Sequence, residues 1–366
     1  METLKILIFN WRCWLNPDFG GAEILTYETA IRWVKAGHEV TLFTAEFPDC
    51  KREEVVDGIR VVRAGGKYLV YRMAKKYYKK RFSKEGFDVI IDEINTIPFL
   101  TPKFVNKGEK IIASIHQLAR EYWFYETSFP VNYIGSYYLE DRWLKNYLDI
   151  PTVTLSESTK QDLFNLGFKK VFSIPPGVNF KPLNRVSEKE KHPVIAYVGR
   201  LKRQKRADHA IKAFKLLKKK IPTTELWIIG DGYFKKNLQA LACDGVRFFH
   251  NLSNEERRQL LIRAWVLVHP GIREGFGLNI IEANALSVPA VAYDVPGLRD
   301  AIQDGKTGLL IKSGGIQALA DVLYDVLIST DLREKLSENA LESSRNYTWE
   351  RYSEAFMKII TQLIRN

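Results

Sequence analysis

A chain of 366 residues is long enough for two domains, each with its own core. Hydrophobic residues make up 46% and charged residues 27%, which is ordinary for a globular protein and argues against disorder; no run of about eighteen apolar residues marks a membrane span, and the apolar run in METLKILIFNW is too short for a signal peptide. The net charge of +12 suits nucleotide phosphates, an anionic membrane face or nucleic acid, or else a lysine-rich solubility surface, while the scattered Cys13, Cys50 and Cys243 lack metal-ligand spacing and read as reduced, cytosolic thiols.

In chain order, Lys5 to Phe9 reads as a short buried strand. The loop Asn10 to Gly21 follows and ends in Gly20-Gly21. A helix opens at Ala22, with apolar residues at helical spacing, and Gly37 closes it before the strand Glu39 to Thr44. This is a βαβ unit, whose loop faces the carboxyl ends of the strands, where ligands bind in such folds. It is not GxGxxG, and no acidic residue stands where a ribose clamp is expected. Gly20 and Gly21 therefore read as a phosphate-approach loop rather than a dinucleotide fingerprint.

Residues 67–84 carry eight Lys/Arg and no acid, mixed with Tyr68, Tyr71, Tyr77, Tyr78 and Phe82. Basic and aromatic residues on one helix suit an anionic bilayer surface, with Lys75, Lys76, Lys79 and Lys80 as its membrane contacts. The plain alternative is a solvated helix whose long side chains lie over apolar surface. Nucleic acid is disfavoured as a partner, because stacked bases need aromatics on a sheet or loop.

Phe87 to Asp92 and Lys110 to Ile115 are further parallel-type strands, and His116 stands just beyond the second, where sites of α/β folds are built. Tyr122 to Tyr125 reads either as the lining of an acceptor pocket or as core. After the strand Pro151 to Leu155, Ser156 caps a helix that Gly167 stops. Val171 to Ile174 ends a first domain spanning 1–180. Residues 181–193 read as a polar linker. The βα alternation then restarts at Val194 and runs to residue 348, with loops at Gly199–Lys205 and Gly230–Gly232. Two alternating halves imply two Rossmann-like domains with parallel sheets facing across a cleft.

The most informative stretch is Val268 to Leu310. An apolar strand ends at His269-Pro270, a glycine-broken loop from Gly271 to Gly277 carries Glu274, and a helix from Asn279 to Leu286 carries Glu282. A helix N-terminus with free N–H groups and glycines is a ready phosphate site, and a carboxylate on that helix is placed to hold sugar hydroxyls. This describes a site for a nucleotide carrying a second polyol.

Gly20-Gly21-Ala22-Glu23, Gly199-Arg200-Leu201 with Lys205, Gly230-Asp231-Gly232, Glu274-Gly-Phe-Gly-Leu278 with Glu282, then Pro289, Gly297 and Asp304 to Gly308, occur in the order of family 4 of the retaining glycosyltransferases, which the chain resembles over nearly its whole length. The resemblance implies the GT-B fold and transfer of a sugar from a nucleotide-sugar donor with retention, without a metal or other cofactor. It implies that Arg200 and Lys205 clamp the diphosphate, that Glu282 holds the ribose hydroxyls, and that Glu274 contacts the transferred sugar. Backbone N–H groups of Phe276, Gly277 and Leu278 would lie near sugar or phosphate, with Gly230 in the donor site and Gly20 and Gly21 approaching the diphosphate. His116 matches a first-domain histidine near the reacting sugar. Ser287 and His250 stand where the family often has glycine, and Ile174-Pro-Pro-Gly177 replaces a more usual Asn-Gly pair. In this fold the last helix, 349–366, commonly crosses back to the first domain.

The expectation is a cytoplasmic transferase, peripheral on the inner membrane face, with a glycan or lipid-linked acceptor. Its rivals are a non-NAD sugar-nucleotide epimerase and a catalytically silent nucleotide-sugar binding or membrane-scaffold protein of the same fold. Base, sugar and acceptor stay open, because hydroxyl discrimination rests on a few contacts placed by tertiary structure.

Overall fold

The computed structural model describes residues 2–312 and 315–365, so Met1 and Asn366, the outer ends of the expected segments, lie outside the described residues. The chain divides into two compact units. Met1–Trp123, Phe129–Gly177 and Thr348–Asn366 form the first; Phe124–Ser128 and Val178–Tyr347 form the second.

The first unit is built on β1 (Lys5–Phe9), β2 (Glu39–Thr44), β3 (Glu53–Val56), β4 (Ile59–Arg63), β5 (Val89–Ile94), β6 (Lys110–Ile115), β7 (Thr152–Thr154) and β8 (Val171–Ser173). They lie in the order β3-β4-β2-β1-β5-β6-β7-β8, and only the β3–β4 pair is antiparallel. That hairpin escapes a reading by βα alternation. Its signal is Asp57-Gly58, both at positive φ (51° and 83°), as a two-residue turn requires. Phe9 stands at the centre of the core, with the rings of Phe43, Phe82, Phe99 and Phe104 at 5.6–6.4 Å. Ser156 accepts the Thr159 N–H at 3.2 Å, capping the helix Glu157–Asn165 as expected.

The basic helix forms as Val70–Lys80. Lys75, Lys76, Lys79 and Lys80 are exposed, but the aromatic residues do not share their face. Tyr78 is buried, and Tyr71, Met73 and Tyr77 pack on the Phe9 core. Helical spacing puts Val70, Ala74 and Tyr78 in one stripe, and burying that stripe against the sheet outweighs exposing it. The expected basic-aromatic surface is therefore a basic one, with aromatic exposure only at Tyr68, just before the helix.

The last helix, Trp349–Arg365, belongs to the first unit. Trp33 donates from Nε1 to the Ser353 carbonyl at 3.2 Å and meets the Phe356 ring edge-on at 5.3 Å. Gly177 is required here, since a Cβ on it would lie 2.4 Å from the Trp349 nitrogen.

The second unit carries β9 (Val194–Val198), β10 (Glu225–Ile229), β11 (Val246–Phe249), β12 (Val266–His269), β13 (Ala290–Tyr293) and β14 (Gly308–Ile311). All pairs are parallel, in the order β11-β10-β9-β12-β13-β14. The order reverses between β9 and β12, which makes their carboxyl ends the switch point where ligands bind in open α/β sheets.

Residues 181–193 are not a free linker. The Leu183 N–H donates to the Ala285 carbonyl and the Glu190 N–H to the Arg263 carbonyl, both within the second unit. Ser287 joins this seam. It sits at φ +57°, which explains why glycine suits the position. Its Oγ accepts the Ser187 N–H at 3.0 Å and meets Lys189 Nζ at 3.3 Å, contacts a glycine does not offer.

Candidate active site

β9 delivers the loop Gly199–Lys205 and its neighbour β12 delivers residues 270–277, so the sheet itself brings the two motifs together. The loops are tied: the Ile272 N–H donates to the Gln204 carbonyl at 3.1 Å, and Asn279 Nδ2 to the Val198 carbonyl at 2.5 Å. Gly230, expected in the donor site, backs the first loop. It holds φ +149°, and a Cβ there would lie 2.0 Å from the Gly199 oxygen. Gly297 does the same for the second loop, where a Cβ would lie 2.0 Å from the Glu274 oxygen.

Glu274 is the hub. Lys205 Nζ donates to its Oε1, and His269 Nε2 lies 3.3 Å from the same oxygen. His269 Nδ1 accepts the Gly271 N–H at 3.3 Å, so the ring proton sits on Nε2, facing the carboxylate. Burial by itself would raise the Glu274 pKa; Lys205 and His269 overcome it and hold it at about 2. The carboxylate is thus ionised at neutral pH. Its Oε2 takes no hydrogen bond among the described residues.

The same two loops carry unsatisfied donors. Arg200 is exposed, and its guanidinium makes no ion pair or hydrogen bond among the described residues. The N–H groups of Phe276, Gly277 and Leu278 likewise find no acceptor among the described residues, at the start of the helix Leu278–Ala285. Gly277 provides this opening by adopting φ +78°. The Phe276 ring is buried against Tyr347 at 5.6 Å, so only its backbone faces a ligand. A carboxylate, a guanidinium and three backbone donors can together bind an anionic, hydroxyl-bearing molecule.

Glu282 lies on the same helix and is 4% exposed. Asn179 Nδ2 donates to its Oε1 at 2.8 Å, and Arg257 Nη2 reaches that oxygen at 3.3 Å. Burial raises its pKa, opposed by Arg257 and Asn179.

Of the expected residues, Arg200, Lys205, Gly230, Glu274, Phe276, Gly277, Leu278 and Glu282 belong to the second unit; Gly20, Gly21 and His116 belong to the first. His116 is buried beyond β6, with Nε2 3.1 Å from Glu93 Oε2 and 3.3 Å from Ser114 Oγ. Gly20 does not offer a free N–H: it donates to Glu23 Oε2 at 2.7 Å, while Arg12 Nε holds the other Glu23 oxygen at 3.3 Å. What this loop presents is a missing side chain. In the second unit, His269, Asn179 and Arg257 were not expected beside Glu274 and Glu282; in the first, Glu93 was not expected beside His116. Among the described residues, no group of three or more His, Cys, Asp or Glu side chains is gathered as for a metal ion, and no helix is long and apolar enough to cross a membrane.

Two family models divide the chain. Glycosyltransferase Family 4 matches residues 19–181, and Glycosyl transferases group 1 matches residues 181–343. The D-inositol 3-phosphate glycosyltransferase of Corynebacterium urealyticum is 31% identical over 182 residues, 46% of this chain and 43% of that protein. The chain spans from 30% to 60% of the length of the first curated relatives it matches. Among solved structures, the sucrose-phosphate synthase of Thermosynechococcus elongatus superposes with a TM-score of 0.79 at 19% identity, covering 99% of each chain. Anabaena HepE, solved with UDP and glucose, superposes at 0.69 and 15% identity, covering 98% of this chain and 100% of its own. At these identities the superpositions establish the two-domain GT-B fold.

Proposed function

The chain belongs to the group 1, family 4 glycosyltransferases, and we propose that it moves a sugar from a nucleoside-diphosphate sugar to an acceptor hydroxyl, with retention at the anomeric carbon and without a metal. The observation that carries this reading is the convergence of Glu274, Lys205 and Arg200 on loops that also offer the N–H groups of Phe276, Gly277 and Leu278.

In this reading Arg200 and the three N–H groups take the diphosphate, and Lys205 adds its charge beside it while keeping its contact with Glu274. Charge develops on the leaving phosphate as the glycosidic bond breaks, and fixed cations and dipoles offset it without reorganising. Glu274, ionised and held at one oxygen by Lys205 and His269, accepts a hydroxyl of the transferred sugar through Oε2. A carboxylate held at about pKa 2 is a weak base, so in this reading the leaving phosphate, not Glu274, takes the acceptor proton. No side chain is assigned as nucleophile. Within the first unit, Glu93 and Ser114 orient the His116 ring. The exposed lysines of Val70–Lys80 suit an anionic bilayer, which makes a lipid-linked glycan the acceptor class this reading favours.

The test is a thermal-shift screen of UDP, GDP and ADP and their sugar conjugates, with and without EDTA. UDP comes first, since HepE was solved with it. A nucleotide-specific rise in Tm that EDTA leaves unchanged is expected, followed by donor turnover. Binding without any turnover, with or without acceptor, would favour a silent nucleotide-sugar binder.

A further inference from the structure

Glu282 is a buried carboxylate with two unequal oxygens. Oε1 receives Asn179 Nδ2 at 2.8 Å and Arg257 Nη2 at 3.3 Å, whereas Oε2 takes no hydrogen bond among the described residues. The two donors are independent in sequence and support. Asn179 stands at the start of the second unit. Arg257 projects from the helix Asn254–Arg263, whose start is fixed by a capping box between Ser253 and Glu256. The Arg257 guanidinium also lies 5.0 Å over the Phe180 ring, next in the chain to Asn179, so its plane is held from a second side.

A carboxylate that is free to rotate exchanges its two oxygens and loses orientational entropy on binding a diol. Two donors on one oxygen remove that freedom in advance and choose which oxygen meets the ligand. Arg257 also supplies the positive charge that a carboxylate this deeply buried needs. We infer that Asn179 and Arg257 are positioning residues, which anchor Glu282 Oε1 so that Oε2 is presented to the vicinal hydroxyls of the donor ribose. This rests on the reading of Glu282 as the ribose-binding residue, and it adds what makes that residue discriminate. Neither Asn179 nor Arg257 touches the nucleotide in this arrangement.

The experiment measures dissociation constants of the full chain for UDP, GDP and ADP and for their 2′-deoxy counterparts, on the wild type, Arg257→Gln, Arg257→Lys and Asn179→Ala. The wild type is expected to bind its preferred ribonucleotide roughly tenfold or more tighter than the deoxy form, the scale of one hydrogen bond to a charged group. Arg257→Gln should weaken the ribonucleotide toward the deoxy value and leave the deoxynucleotide unchanged. Arg257→Lys should recover part of the preference, and Asn179→Ala should lose part of it. Equal weakening of both nucleotides in Arg257→Gln and Asn179→Ala would overturn the positioning role and leave the ribose reading standing. Should Arg257→Gln fail to fold, Asn179→Ala alone decides between these outcomes. A wild type that binds nucleotides without preferring ribose would overturn the ribose reading of Glu282 and this inference together, and one that binds no nucleotide would overturn the proposed function itself.

Discussion

His269 Nε2 lies 3.3 Å from Glu274 Oε1, the oxygen that Lys205 also reaches, and the Gly271 N–H at Nδ1 fixes which ring nitrogen carries the proton. Glu274 therefore faces its ligand with one oxygen occupied by two cationic or polar donors. His269→Leu removes a donor and leaves a buried carboxylate leaning on Lys205 alone, whereas His269→Gln keeps an N–H in reach. We expect a loss of kcat/KM of roughly 10-fold to 100-fold for the leucine variant and a clearly smaller loss for glutamine. Acid unfolding supplies a second readout. The Glu274 value in the folded chain, about 2, lies below its ordinary 4.5, so its contribution to stability is complete above pH 4.5 and lost as pH falls toward 2. His269→Leu should shrink the loss of stability across that window; an unchanged acid profile together with unchanged kcat/KM would refute the role given to His269.

Arg200 and Lys205, read from the sequence as a matched pair, part company in the structure. Lys205 is committed to Glu274, while Arg200 is exposed and unpaired among the described residues. Arg200→Ala should thus weaken nucleoside-diphosphate binding with stability kept within about 0.5 kcal/mol, as for an uninvolved surface change. Lys205→Ala should reduce kcat/KM by roughly 10²-fold or more and also lower Tm, because it strips a buried carboxylate of its cation. Denaturation and nucleotide titration on both variants check the contrast; equal effects on stability would show that the two cations are not divided in this way.

The architecture and the central motifs were legible because they are written in local signals. Strand–loop–helix alternation marks the two sheets, and Glu274 and Glu282 share a loop and the helix it feeds. The partners of those glutamates were not legible. Asn179 meets Glu282 across 103 positions of sequence and Arg257 across 25, and neither separation has a period. His269 did carry a weak sign, a polar residue closing an apolar strand two positions before Gly271, where a Cβ would lie 2.8 Å from the His269 ring. The basic helix shows the same limit: composition counts the tyrosines of 67–84 together with the lysines, whereas helical spacing turns Tyr78 to the core and Lys75, Lys76, Lys79 and Lys80 to solvent.

That helix still offers four exposed lysines on an element whose packing does not use them. Replacing Lys75, Lys76, Lys79 and Lys80 by Gln should leave folding and nucleotide affinity unchanged. Each lysine near an anionic surface contributes about 1 kcal/mol, so partitioning onto phosphatidylserine-containing vesicles should fall by roughly 10²-fold or more at low salt. Cosedimentation of both proteins with such vesicles is the measurement, and equal binding before and after would remove the membrane from the reading.

Lys189 is a half-buried amine whose surroundings give a stability signature. Its Nζ reaches the Ile262 and Leu286 carbonyls at 3.1 and 3.3 Å, at the carboxyl ends of two helices, and Ser287 Oγ at 3.3 Å. Burial lowers its pKa to about 7 from the ordinary 10.5. Between those values the unfolded chain keeps a proton that the folded chain has released, so this group makes stability rise with pH from 7 to 10.5 and adds no slope below that window. Lys189→Met removes the titration while filling similar volume, and Ser187 Oγ still donates to the Ile262 carbonyl at 3.0 Å. Urea denaturation at pH 7 and pH 10 should show a larger gain in stability for the wild type than for the variant. At pH 7 the methionine protein should equal or exceed the wild type, since it no longer holds a partly charged amine out of water. Parallel pH profiles for the two proteins would mean that the two helix ends keep Lys189 charged through this range.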